Sequence, residues 1–149
     1  MVELPKRDVV DQDPKTVWEG LVDNPDSALI DVRTQSEWAF VGVPDLTELG
    51  RKQIMVEWLT FPSMQINQDF FHQVEDRFQG EIPSTLYFIC RSGSRSRSAA
   101  GFIENELDQR GKNVNCINVS EGFEGDLSHE GHRGTVNGWK VKGLPWKQS

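Results

Sequence analysis

The sequence predicts an α/β fold with a mostly parallel central sheet and helices on both faces. Short apolar runs typical of buried strands alternate along the chain with segments whose apolar residues recur at helical spacing. The connections between these segments are short. Because 149 residues is the length of one ordinary domain, we predict a single domain over 1–149 with its core at about 13–146.

The first quarter of the chain predicts a helix followed by a strand. Asp13 and Pro14 are typical of a capped helix N-terminus with proline at the first position. Apolar residues at helical spacing continue this segment, which is expected to end near residues 24–25. The apolar run 28–32 then predicts a buried strand.

The next helix is predicted from a capping box. Thr34 and Glu37 have the required spacing, and Gly42 is expected to end the short helix that they begin. The later elements are predicted from the same kinds of signal. They are, in order, a turn at 43–46, a strand at 53–57, a loop at 58–64, a helix at 67–79, a strand ending at Cys90, a helix ending near Gly111, a strand at 114–119 and a turn into a short helix at 120–125.

The segment 86–100 is the one that predicts chemistry, since an apolar strand ends there at Cys90 and continues through Gly, Ser and Arg into a helix. Ligands of parallel α/β folds bind at the carboxyl ends of strands. Successive backbone N–H groups ahead of a helix N-terminus form an anion site that favours a thiolate over a thiol. Cys90 is therefore the candidate nucleophile, acting on a sulfur or phosphorus centre of an anionic substrate. The candidate binding loop consists of Arg91, Ser92, Gly93, Ser94, Arg95 and Ser96.

The charge distribution narrows the class of ligand. The chain carries a formal net charge of −7, which argues against binding to nucleic acid or to an anionic membrane surface. Arg91, Arg95 and Arg97 nevertheless lie together in a segment that contains no acidic residue. Local positive charge in an acidic chain indicates a small anionic ligand.

The two cysteines and the N-terminal residues indicate the cellular compartment in which the protein is expected to lie. Cys90 and Cys116 have different contexts and do not form the framework of a disulfide-rich protein, which favours a reducing compartment. We find neither the pattern of a signal peptide at the N-terminus nor an apolar run of transmembrane length. The expectation is a cytoplasmic protein that does not bind membranes.

Other candidate groups are interpreted as structural or solvated. Cys116 lies within a predicted strand and is expected to be a buried core residue. His129 and His132 are three residues apart without a nearby thiolate, so they are expected to be solvated loop residues. We accordingly predict no metal and no cofactor.

The loop Cys90–Ser96 strongly resembles the active-site loop of the rhodanese family, the sulfurtransferases that form a persulfide. Four further segments resemble the family in the same order along the chain, and together they span residues 15–146. They are Leu29–Arg33 with the Glu37-Trp38 pair, Gly42–Pro44, Asn118–Gly122 and Gly138–Pro145.

The resemblance implies a rhodanese-like domain and a specific activity. Cys90 is the residue that takes a sulfane sulfur from a donor such as thiosulfate and passes it to cyanide or another thiophilic acceptor. The loop amides stabilise the persulfide, and Arg91 or Arg95 binds the negative charge of the donor. Three charged residues in the matching segments are expected to support the loop as an ion-pair network behind it. These supporting residues are Asp31, Arg33 and Glu37.

Two alternatives stay open at this point. Related phosphatases of the same fold use a longer loop, and the Cys90-x4-Arg95 spacing favours sulfur, but Arg97 is near enough to act as a displaced phosphate ligand. A cysteine phosphatase or arsenate reductase is therefore the first alternative. A non-catalytic relay module that docks on a protein partner in sulfur transfer is the second. The physiological donor and acceptor and the oligomeric state are also left open.

Overall fold

The structure is a computed structural model and describes residues 9–148. The α-helices in this range are α1 (Pro14–Asp23), α2 (Gln35–Phe40), α3 (Phe70–Arg77) and α4 (Ser94–Gln109), and a single 3-10 turn spans Thr47–Leu49. The strands in this range are β1 (Val10–Gln12), β2 (Ser27–Asp31), β3 (Val43–Pro44), β4 (Ile54–Met55), β5 (Leu59–Thr60), β6 (Gln65–Ile66), β7 (Thr85–Ile89), β8 (Asn115–Val119) and β9 (Trp146–Lys147).

The central sheet has five strands in the order β1-β8-β7-β2-β4, and every neighbouring pair is parallel. Strand β7, which leads to Cys90, is the middle strand. Its side chains alternate between two cores, because successive residues of a strand point to opposite faces. Leu86 and Phe88 pack with α3 and α4, whereas Tyr87 and Ile89 pack with α1. The predicted α/β class with helices on both faces is confirmed.

The predicted helix starts are explained by side-chain caps. Asp13 accepts a hydrogen bond from the backbone N–H of Thr16 at 2.9 Å, and Pro14 occupies the first turn of α1. Thr34 and Glu37 form the predicted capping box of α2. None of the helices described within 9–148 is both long enough and apolar enough to span a membrane.

Several predicted boundaries are wrong, and tertiary pairing is the usual reason. The predicted turn at 43–46 contains β3, which pairs antiparallel with β9 from the other end of the chain. The predicted loop at 58–64 contains β5, which forms a hairpin with β6. The third helix begins at Phe70 rather than at residue 67. Edge strand β1 lay outside the predicted elements.

The short helix predicted at 120–125 is absent, and turns occupy this segment. Gly122 and Gly125 both have positive φ, of 71° and 78°, which interrupts any right-handed helix. The backbone N–H groups of the segment instead donate to the loop that follows β7, as described below. The absence of this helix is therefore tied to the candidate site.

Candidate active site

Cys90 follows the central strand β7 and lies at the bottom of the loop that leads into α4. The residue is 1% exposed. Its Sγ atom is 3.1 Å from the backbone nitrogen of Gly93 and 3.1 Å from the hydroxyl oxygen of Ser96. The sulfur is therefore enclosed by its own loop beside the N-terminus of α4, where donors and the helix dipole favour negative charge.

The loop is held from outside by the turn 120–125. The backbone N–H of Phe123 donates to the carbonyl oxygen of Cys90 at 2.8 Å, and Glu124 and Gly125 both donate to the carbonyl of Arg91. In a trans peptide the C=O and N–H groups point in opposite directions. Fixing these two carbonyls toward the turn therefore directs the following amide N–H groups away from it, as an anion-binding loop requires.

Two glycines allow the loop and the turn to approach this closely. Gly93 has a φ of 110°, and a Cβ atom there would lie 2.3 Å from the carbonyl oxygen of Ser120. Gly122 has a φ of 71°, and a Cβ atom there would lie 2.5 Å from the backbone of Arg91. Both positions combine an unfavourable backbone conformation for other residues with a backbone clash. Glycine is consequently required on each side of the contact.

Arg95 is bound by Glu37 of α2. Its two terminal nitrogens donate to the two carboxylate oxygens at 2.7 and 2.8 Å, and both side chains are largely buried. Burial opposes ionisation of Glu37, but the hydrogen bonds and charge of Arg95 prevail and lower its pKa to about 2. The same hydrogen bonds raise the pKa of Arg95. The pair is thus charged at neutral pH, and Arg95 has a fixed position beside the loop.

Asp31 and Arg33 form a second pair beneath the site, and both side chains are fully buried. Arg33 donates to both oxygens of Asp31, at 2.9 and 2.7 Å, and to the carbonyl of Gly42. Its guanidinium lies 4.4 Å from the ring centre of Phe123, in the turn that holds the loop. The ion-pair network predicted behind the loop consists of two bidentate pairs, Asp31 with Arg33 and Glu37 with Arg95.

Arg97 faces away from this pair. Its Nη1 atom is 2.6 Å from Asp11 in edge strand β1, and both side chains are partly exposed. The first turn of α4 therefore directs its two arginines to different acids. Arg97 is therefore bound to Asp11 and does not line the cavity beside Arg95.

A cavity of about 680 Å³ opens beside Arg91 and Arg95. It lies between α2, the β5–β6 hairpin and the segment after Gly125. Apolar side chains that are exposed to solvent form part of its rim, and they are Phe61, Met64 and Leu127. Arg133 adds a third arginine, while Glu37 and Glu124 supply the acids. The cavity has room for an anion considerably larger than thiosulfate.

The remaining predicted site residues have different positions. Ser92 is half-buried, and Ser94 is exposed at the start of α4. Cys116 is buried in β8 and packs in the core shared with α3 and α4, as interpreted from the sequence. His129 and His132 are exposed. Among residues 9–148 no group of three or more His, Cys, Asp or Glu side chains could hold a metal ion.

Sequence reasoning missed two polar residues that approach the loop from the sheet. Asn118 in β8 accepts a hydrogen bond from Ser96, and Asp11 in β1 accepts one from Asn118. The available signal for Asn118 was a polar residue near the carboxyl end of the strand adjacent to β7. For Asp11 no comparable signal exists, because β1 was not predicted.

Comparison with known proteins identifies the family. The sequence model of the rhodanese-like domain matches residues 13–129. The chain is 36% identical over 127 residues to an uncharacterized protein from Rickettsia rickettsii, with 85% of this chain and 88% of that protein covered. An uncharacterized protein from Rickettsia conorii is 37% identical over the same length and coverage.

Solved structures agree with this assignment. The crystal structure of Rv0390 from M. tuberculosis has 42% sequence identity and a TM-score of 0.80, covering 96% of this chain and 100% of that one. The solution structure of the polysulfide-sulfur transferase homodimer from Wolinella succinogenes has 20% identity and a TM-score of 0.52, covering 95% of this chain and 80% of that one. The second similarity concerns the fold alone. The resemblance inferred from the loop and its four accompanying segments is confirmed, and the chain belongs to the rhodanese-like domain family.

Proposed function

We propose that this protein is a sulfurtransferase that moves a sulfane sulfur from thiosulfate, or a similar anionic donor, to a thiophilic acceptor through a persulfide on Cys90. The observation that carries the proposal is the position of the Cys90 sulfur. It lies 3.1 Å from both the backbone nitrogen of Gly93 and the hydroxyl oxygen of Ser96 at the N-terminus of α4, at the end of the central strand. Both groups can donate a hydrogen bond to a thiolate, which is the nucleophilic form of cysteine.

Two displacements complete the reaction. The Cys90 thiolate attacks the sulfane sulfur of thiosulfate, and the S–S bond of the donor breaks with its electron pair leaving on sulfite. A nucleophile such as cyanide then attacks the outer sulfur of the persulfide. The S–S bond to Cys90 breaks, the thiolate is restored, and no external oxidant or reductant is consumed.

The loop geometry supports sulfur over phosphorus. The cradle has four residues between Cys90 and Arg95, which leaves less room around the substrate than the longer loop of the related phosphatases. Arg97 does not compensate, because it is bound to Asp11 on the other side of the helix. A cysteine phosphatase or arsenate reductase is therefore the weaker candidate.

A second candidate function is the relay of sulfur to a protein acceptor. The cavity of about 680 Å³ is far larger than thiosulfate or cyanide requires, and its rim exposes Phe61, Met64 and Leu127. Exposed apolar groups around a cavity are typical of surfaces that bind larger partners. On this proposal a cysteine on an extended segment of the partner enters the cavity and accepts the sulfur. A reducing compartment such as the cytoplasm would suit both candidates.

Intact mass measurement after incubation with thiosulfate tests the main proposal. The wild type is expected to gain one sulfur atom, which a reducing agent removes, whereas Cys90→Ser gains none. Cys116→Ser is the matched control and is expected to gain sulfur like the wild type. An unmodified wild type would contradict the proposal.

Two further readouts separate the alternatives. Turnover of an aryl phosphate without sulfur uptake would favour the phosphatase. A persulfide that forms readily but turns over poorly with cyanide would favour the relay, since small acceptors would then not be the natural ones.

A further inference from the structure

A continuous chain of hydrogen bonds runs from edge strand β1 to the sulfur of Cys90. Asp11 Oδ1 is 2.9 Å from Asn118 Nδ2, and Asn118 Oδ1 is 2.5 Å from the hydroxyl oxygen of Ser96. That hydroxyl oxygen is 3.1 Å from Cys90 Sγ. Ser96 and Asn118 are buried, so water does not replace these partners.

The orientation of the Asn118 amide is determined by its neighbours. Its Nδ2 faces two acceptors, the carboxylate of Asp11 and the carbonyl oxygen of Gly93 at 3.1 Å. A carboxylate and a carbonyl can only accept, so the NH₂ group must face them. The amide oxygen of Asn118 consequently faces Ser96.

Ser96 therefore has one proton and two acceptors. A hydroxyl group donates a single hydrogen bond, while both Asn118 Oδ1 and Cys90 Sγ lie within hydrogen-bonding distance of its oxygen. When Cys90 is a thiol, the S–H group can donate to Ser96, and Ser96 can donate to Asn118. When Cys90 is a thiolate, the sulfur has no proton and requires the hydroxyl proton for itself.

We infer that Asn118 is a positioning residue that competes with Cys90 for the hydroxyl proton of Ser96, and that Asp11 holds Asn118 in the orientation for this competition. The proton of Ser96 then follows the charge on Sγ. It turns to the sulfur when the thiolate forms and returns to Asn118 when the charge leaves Sγ.

The consequence for catalysis rests on the proposed function. In a persulfide the negative charge lies on the outer sulfur, so Ser96 is released to Asn118. When the acceptor removes the outer sulfur, the bond electrons return to Sγ, and Ser96 donates to the departing thiolate. Between formation of the persulfide and removal of its outer sulfur, Ser96 donates to Asn118, so its proton stays within reach of the Cys90 sulfur.

Asp11 lies outside the segment that matches the family, residues 13–129. Its other carboxylate oxygen binds Arg97 at 2.6 Å, so removing Arg97 leaves the bond to Asn118 in place. This arrangement supplies a control, because Arg97→Ala and Asp11→Ala both break the surface ion pair, but only Asp11→Ala removes a hydrogen bond from Asn118.

The test is the rate at which iodoacetamide alkylates Cys90 at neutral pH, followed by mass spectrometry of the Cys90 peptide. Ser96→Ala removes a donor to the thiolate and is expected to slow alkylation about tenfold. Asn118→Leu removes the competing acceptor at similar volume and is expected to accelerate it about threefold. The double variant is expected to match Ser96→Ala, because Asn118 acts through Ser96. Asp11→Ala is expected to accelerate alkylation to a smaller extent than Asn118→Leu does.

If Asn118 had a merely structural role, Asn118→Leu would not accelerate alkylation while Ser96→Ala slows it. Slower alkylation in Asn118→Leu, or additive effects in the double variant, would overturn the inference. If Asn118→Leu does not fold, as judged by circular dichroism, Asp11→Ala against Arg97→Ala decides, and equal rates for these two would overturn it. Ser98→Ala, an exposed serine of the same helix, should leave the rate unchanged. Alkylation uses no sulfur donor, so these rates remain informative even if the protein takes no sulfur from thiosulfate.

Discussion

Two arginines on the first turn of α4 have opposite surroundings. Arg95 forms two hydrogen bonds to Glu37, and the side chains of this pair are 17% and 19% exposed. Arg97 forms one hydrogen bond to Asp11, and the side chains of that pair are 43% and 46% exposed. The first pair borders the cavity of about 680 Å³, whereas the second lies at the edge of the sheet.

Residues two apart on an α-helix point in directions about 200° apart, so each arginine binds the acid on its own side of α4, and only Arg95 borders the cavity. Glu37 is itself held in place, since its carboxylate also accepts hydrogen bonds from the backbone and hydroxyl groups of Thr34. A capping box at the start of α2 thus positions the acid that positions Arg95. Asp11 binds two different side chains, because its Oδ2 accepts from Arg97 and its Oδ1 accepts from Asn118.

The largest effect is expected from Arg95→Ala. The substitution leaves the largely buried carboxylate of Glu37 without its cation and removes positive charge near Cys90. We expect the free energy of unfolding to fall by about 2–3 kcal/mol and sulfur uptake from thiosulfate to slow by about tenfold or more. Urea denaturation and the time course of intact mass measure the two effects. Unchanged stability and uptake would show that this pair is dispensable.

An intermediate effect is expected from the ionisation of Glu37. Because its pKa in the folded state is lowered to about 2, the pair stabilises the protein above the ordinary pKa of a glutamate. This contribution is lost as the pH falls from the ordinary value through about 2. We expect Glu37→Gln to cost on the order of 2 kcal/mol near neutral pH and progressively less in acid.

Urea denaturation of the wild type and Glu37→Gln across this pH range makes the measurement. Glu37→Gln retains Arg95 and is expected to take up sulfur, in contrast to Arg95→Ala. A stability difference that does not depend on pH would contradict the assigned role of the carboxylate.

The smallest effect is expected from Arg97→Ala. Its ion pair is exposed and forms one hydrogen bond, so we expect a loss of at most about 0.5 kcal/mol and no change in sulfur uptake. The same two assays apply. An additional urea denaturation in high salt should reduce the difference in the free energy of unfolding between the wild type and Arg97→Ala, because salt screens exposed charges. If Arg97→Ala abolishes uptake while Arg95→Ala does not, the two arginines have been assigned the wrong way round.

Much of the fold could be predicted because the signals for it are local. The capping residues Asp13 and Thr34 mark helix starts, and the apolar run ending at Cys90 marks the central strand, within a few residues of where the structure has them. Two of the elements that were missed, β1 and β3, depend on distant partners. Strand β3 forms against β9, and β1 forms against β8, so neither pairing has a local signature.

For the candidate site the sequence by itself determined the loop, its candidate cysteine and the family, because a strand, a Gly- and Ser-rich turn and a helix N-terminus are all encoded within residues 86–100. Only the tertiary structure decided which acid each arginine binds and which residues reach the sulfur. Glu37, Asn118 and Asp11 come from three other elements. Their contacts depend on how β1, β8 and α2 pack around the loop, and this packing is a property of the whole chain.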